Sequence, residues 1–147
     1  MTKRINFAIV VCAVLAAASG LHATLGAQGT KSVVDGVYTE QQAKRGSTLY
    51  AEQCIACHGE DLKGLADVVP ALTGESFILN WKGKSVGELF DKISTTMPAL
   101  EPGSMKPAQV ADLIAHILST SKYPAGSTDL ASTLEPLQQI KIDPPKP

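Results

Sequence analysis

Apolar positions along this chain come in two regimes. Ile5 to Ala18 is a concentrated apolar run, "INFAIVVCAVLAAA"; from Thr39 onward they become periodic instead. Ala43, Gly46, Leu49, Tyr50 and Cys54 recur every 3.6 residues, which predicts a helix from Thr39 to about Gln53. "TEQQ" opens it as a capping box, with Thr39 at the N-cap and Gln42 three residues on. Residues 59–74 are rich in Gly and turn formers and read as a loop. Glu75–Trp81 reads as a short helix with Phe77, Ile78 and Trp81 on one face. "SVGELFDKIS" reads as another, with a second capping box in Ser85 and Glu88 and a stripe of Leu89, Phe90 and Ile93. Residues 94–107 return to loop. A last helix spans Pro107 to Ser121, with proline in the first turn, where its missing N–H costs nothing. Val110, Leu113, Ile114, Ile117 and Leu118 give it a broad apolar face. No segment alternates like a strand and no internal repeat is present, so the pattern predicts an all-α fold. Gly46 inside the first helix costs about 1 kcal/mol relative to alanine. Simple tolerance explains it, as does close approach of a second helix.

The apolar run follows Lys3 and Arg4 and leads into small residues up to "LGAQG". That is the layout of a secretory signal peptide, cleaved after Ala27 or, as the weaker alternative, after Ala23. Its 14-residue apolar core is short against the ~20 residues that a membrane span needs, so no span is expected after processing. Cys12 lies within the run and serves as a hydrophobic spacer. The chain then divides into a removed signal peptide (1–27), a short leader (28–37), a domain (38–123) and a Pro-containing C-terminal extension (124–147). At 147 residues one domain is the expectation.

Processing changes the composition. Taking Lys3 and Arg4 from the 13 basic side chains leaves 11 against 14 acidic ones, a net charge of −3. There is no basic run or stripe, which argues against a nucleic-acid partner. The remaining cysteines are Cys54 and Cys57, the histidines His58 and His116, the methionines Met97 and Met105. Aromatics make up only 5% of the chain, so its core must be filled by aliphatics or by something other than protein.

Three of these scarce residues stand together in "CIACH", Cys54 to His58. A disulfide across two residues makes a small, redox-active ring, and no thioredoxin-like strand precedes this one. A closed zinc site needs four ligands; only His116 remains as a further nitrogen or sulfur donor. Chance clustering explains neither the spacing nor the export signal. Covalent haem explains both, since C-x-x-C-H is its attachment signature. Two cysteines three apart at a helix end present their sulfurs on one side, where they bond the two vinyl groups of a porphyrin edge. The next histidine then reaches over the plane to the iron. A large flat apolar cofactor also makes up for the missing aromatics.

One histidine leaves a sixth iron position, for which His116, Met97 and Met105 are candidates. His116 belongs to the last helix and reads as a packing residue. Met105 precedes that helix and suits a hydrophobic staple onto Val110. Met97 stands in "TTMPAL", where Pro98 biases it to an extended conformation that suits a chain crossing a haem face. Met97 is therefore the expected axial ligand with His58. For Trp81 two roles stand: donation to a haem propionate, and core packing.

On these residues the chain resembles small single-haem class I bacterial cytochromes c over about residues 38–123. "CIACH" is the most specific part; "GSTLY", "VPALTG", "TMPALEPGS" and "ADLIAHIL" match in turn. The resemblance implies three to five helices around one covalently attached haem c, with first and last helices crossing at Gly46. It implies that the Pro70 carbonyl accepts a hydrogen bond from His58. It further implies a periplasmic one-electron carrier that is not an enzyme; the alternatives are a haem enzyme or gas sensor with an open sixth coordination site, and a haem subunit fixed in a larger redox complex. Its partners would be redox proteins, such as a periplasmic dehydrogenase, a terminal oxidase or another cytochrome. Two departures stand out: His116 replaces the usual Tyr, and Lys106 stands where Ser often caps the last helix. The tail resembles extensions in cytochromes that serve periplasmic dehydrogenases. The processing expectation is checked by intact-mass measurement of the exported protein, which should begin near Gln28; a retained Met1 or a lipid on Cys12 would overturn it.

Overall fold

A computed structural model describes residues 31–145 apart from residue 67. In chain order it contains β1 (Lys31–Ser32), a 3-10 turn (Val33–Asp35), α1 (Glu40–Gln53) and α2 (Ile55–His58). These are followed by α3 (Gly74–Trp81), α4 (Val86–Thr96), α5 (Pro107–Thr120), α6 (Leu134–Gln138) and β2 (Ile140–Lys141). Five helices fall within residues 38–123, in line with the all-α reading; the sixth belongs to the tail. The signal segment expected over residues 1–27 lies outside the described residues.

Helix ends follow local chemistry, with three differences from expectation. Thr39 Oγ1 accepts from the Gln42 N–H at 3.0 Å, as a cap should. The Gln42 side chain does not return to the cap, however. It is buried, its amide donates to the Leu130 carbonyl (3.0 Å), and its oxygen accepts from the Leu130 N–H (2.6 Å). A buried amide must satisfy both ends, and the tail backbone offers a matched pair. The Ser85–Glu88 box forms in full. Its helix α4 continues beyond Ser94 to Thr96, and the Met97 N–H closes the last turn on Ile93 O at 3.0 Å. It stops there because a residue before proline is pushed out of the helical region. At α5 the lysine ammonium has no acceptor to offer. The Gln109 side chain instead accepts from the Lys106 N–H at 2.9 Å, so the cap is one-sided.

Helices α1 and α5 make the central contact. A Cβ added at Gly46 would overlap the Asp112 carbonyl and lie 3.0 Å from His116 Cβ, so close helix approach is the reason for this glycine. One turn further on, the Tyr50 and His116 rings meet at 5.2 Å with a 52° tilt. Arg45 spans from Asp112 on α5 to Asp129 in the tail, at 2.9 and 2.8 Å.

The tail is folded onto this pair. Leu130, Leu137, Ile140 and Ile142 are buried in the core. β2 pairs in parallel with β1, with Lys31 opposite Ile140 and Ser32 opposite Lys141. Each strand is two residues long, too short for alternation to register in the sequence. Tyr123 ties the tail at two points. Its carbonyl accepts from the Tyr38 hydroxyl at 2.6 Å, and its own hydroxyl donates to Asp143 O at 2.8 Å.

His116 yields a test with a definite sign. Burial pushes its imidazole below the ordinary value of 6.5, because desolvation penalises the charged ring. Its contribution to stability is thus present above that ordinary value and is lost as pH falls through the lowered one. Denaturant midpoints measured from neutral to mildly acidic pH should fall more steeply for the natural protein than for His116→Tyr.

Candidate cofactor site

The cysteine–histidine segment begins where α1 ends. Cys54 leaves the helical region (φ −121°, ψ −30°) while its N–H still donates to Tyr50 O at 2.9 Å. Its carbonyl accepts from the N–H groups of Cys57 (3.2 Å) and His58 (2.9 Å), which winds Ile55–His58 into the single turn α2. Gly59 then takes φ 75°, a left-handed value that suits glycine, and sends the chain away. Cys54 is half-buried, Cys57 is exposed, and both thiols are free. Burial, and then the neighbouring Cys57, push the Cys54 thiol up to about 11. This site disfavours a thiolate, whereas a thioether there carries no charge to desolvate.

His58 is held from both sides. Its ring is buried, and Nδ1–H donates to the Pro70 carbonyl at 3.1 Å. That bond leaves the Nε2 lone pair free for a metal and fixes the ring's tautomer and orientation. The loop between these residues is short-circuited by backbone bonds. The Gly64 N–H donates to His58 O (2.9 Å) and the Leu72 N–H to Leu62 O (2.8 Å). Tyr50, which shares a helix face with Cys54 at i, i+4 spacing, donates its hydroxyl to Gly59 O at 2.7 Å. Sequence reading matched Tyr50 only as a packing aromatic. Its place four residues before Cys54 was the available signal for this link.

The methionine loop approaches from another direction. Met97 is half-buried and extended (φ −122°, ψ 151°), as Pro98 requires. Pro98, Leu100 and Met105 share an open cavity of about 450 Å³ with Gln53. The structure thus brings the residue after Met97 beside the residue before Cys54. Met105 and Val110 are both buried in the core, as a staple would have them. Trp81 is half-buried, packs on Phe77 at 6.4 Å, and lies under the Lys84 ammonium at 4.9 Å. Among the described residues no group of three His, Cys, Asp or Glu side chains is arranged to hold a metal ion.

These residues fit a covalently held haem. Two free thiols lie on one turn, a buried imidazole keeps its second nitrogen open, and a thioether stands in a loop that reaches the cysteine end. Ile55, Leu72, Ile78, Trp81 and Met97 are apolar side chains packed at the margin of the core and left half-exposed, as an apolar macrocycle would need them.

Fold and site define a small single-haem c-type cytochrome. Residues 41–117, just over half the chain, match the family model described as cytochrome c oxidase, cbb3-type, subunit III, and the chain belongs to that family. Membership carries covalently bound haem c with it, and Cys54, Cys57 and His58 fit the attachment motif. No curated protein matches the chain. Among solved structures it is similar to the sulfane dehydrogenase SoxCD from Paracoccus pantotrophus. The identity is 22% and the TM-score 0.48, over 68% of this chain and 52% of that one. The chain therefore spans about half the length of the solved chain it matches. Replacing both thiols, Cys54→Ser with Cys57→Ser, should give a protein whose haem is extracted by acidified acetone. Haem that stays with the protein through that extraction would contradict attachment at these residues.

Proposed function

We propose that this protein is an exported, periplasmic one-electron carrier rather than an enzyme, with His58 and Met97 as the axial ligands of its haem. The observation that carries this reading is the His58–Pro70 hydrogen bond at 3.1 Å, which commits Nδ1 and leaves the other ring nitrogen available to a metal. The extended Met97 in a loop bordering the cysteine end supplies a second donor. When bound, haem c supplies one reversible one-electron couple. The chain's part would be to hold that group through His58 and Met97 and to surround it with the apolar side chains at the core margin. A thioether on one side and an apolar pocket favour the reduced state relative to two histidines. The Pro70 carbonyl works in the opposite direction by making His58 the stronger donor.

Export is supported by the basic and apolar pattern of residues 1–27. Among the described residues no helix is long and apolar enough to cross a membrane. Partners are redox proteins of the same compartment, a dehydrogenase on the donor side or an oxidase or second cytochrome on the acceptor side.

Two substitutions separate the methionines. Met97→Ala should open the sixth position. The iron turns high-spin or takes a weaker ligand, its potential falls, and it binds carbon monoxide readily. Met105→Ala should leave the absorption spectrum unchanged and lower stability by about 2–5 kcal/mol, the range for truncating a buried methionine. The reverse pattern would move the ligand to Met105.

A further inference from the structure

We propose that the C-terminal extension positions the Met97 ligand: α6 and β2 hold α4 and the residues before it, and so determine where Met97 is presented. This rests on the His58/Met97 reading above. Met97 is the C-terminal cap of α4, bonded to its last turn through Ile93 O, so wherever α4 goes the methionine follows. The most extensive helix contact of α4 is with α6, ahead of its contact with α5. Gly87 on α4 lies against the end of α6. A Cβ there would stand 2.8 Å from Gln138 Cγ and 2.9 Å from Gln138 N, so a side chain would force the two helices apart. Leu137, on the same short helix, is wholly buried.

The approach to α4 is held as well. The Gly83 N–H donates to Ile142 O and the Ile142 N–H to Lys84 O, both at 2.9 Å. Ser85, the cap of α4, forms a β-bridge with Lys141. The tail is in turn anchored away from α4, by the buried Gln42 amide on Leu130 and by β1 on β2. It therefore acts as a frame fastened to α1 at one end and to α4 at the other. Positioning matters more for Met97 than for His58. His58 is fixed by Pro70 and lies within a tightly bonded loop, whereas a neutral thioether competes with any stronger donor that enters.

The consequence can be read in the holo, full-length protein by titrating imidazole, which must displace Met97. The apparent affinity of such a ligand scales with the fraction of molecules in which the methionine is detached. Leu137→Ala and Gly87→Ala should each loosen α4 and tighten imidazole binding about tenfold, or ~1.4 kcal/mol. The weak far-red absorption of the thioether–iron(III) bond should fade in parallel. Leu137→Met, which conserves volume, should restore both readouts. Lys44→Gly, which weakens α1 from its exposed face rather than a support of the tail or of α4, should lower stability without moving imidazole affinity. If Leu137→Ala does not fold, Leu137→Val and Gly87→Ala decide. The proposal is overturned if these variants lose stability but bind imidazole as the natural protein does. Absence of the far-red band from the natural protein would instead remove the Met97 reading, and this proposal with it.

Discussion

The whole molecule is built around one contact, the backbone-to-backbone crossing of α1 over α5 at Gly46. No side chain separates the helices there, and an added methyl group would overlap the Asp112 carbonyl. The crossing fixes the axial position and rotation of α1, and with them the placement of every later residue on that helix. One turn on, Tyr50 lies against His116 and bonds Gly59, the residue after His58. One turn further, Cys54 closes the helix. The attachment segment is thus built as an extension of the crossing, and its placement needs no long loop to be ordered first.

The two sides of the site are prepared differently. On the histidine side a buried ring, a hydrogen bond to Pro70 and a loop closed by its own backbone leave little freedom to be lost when a ligand bond forms. On the methionine side Met97 leaves the end of a helix and enters a loop that borders an open cavity. Its position is inherited from α4, hence from whatever packs on α4. At the margin of the core, Ile55, Leu72, Ile78 and Trp81 present apolar surface that the protein alone covers only in part. Such surface is costly to leave in water, at roughly 25 cal/mol per Å². A bound macrocycle therefore stabilises the fold while it completes the site.

The segment after Tyr123 belongs to the same structural unit. It contributes Leu130, Leu137, Ile140 and Ile142 to the core and pairs with the leader strand. Its anchors are polar and specific as well as apolar, above all the reciprocal bonds between the Gln42 amide and the Leu130 backbone. Removing either partner of such a buried pair leaves an unsatisfied polar group, which makes the attachment register-specific.

What the sequence determined by itself was whatever depends on neighbours within a turn or two. The Thr39 and Ser85 caps, the apolar stripes and the proline that starts α5 are set by short-range sterics and hydrogen bonding, so the helices were legible. The cysteine–histidine segment was legible for the same reason: its chemistry is carried by five consecutive residues. The end of α4 lies three residues beyond Ile93, where its apolar pattern stops. Pro98 held that information, but the polar residues Ser94, Thr95 and Thr96 hide the helical period. Tertiary structure alone decided the remainder. Gln42 has the spacing of a capping box, yet its side chain is taken by a backbone 88 residues away. The tail shows neither alternation nor a long period, because its order comes from bonds to Tyr38, Gln42, Gly83 and Lys84. Proximity of the methionine loop to the cysteine end is likewise a property of helix packing. Local patterns record which conformation a segment prefers; they do not record which distant surface will satisfy it, and that choice is made when buried polar groups and apolar faces find their partners in the folded chain.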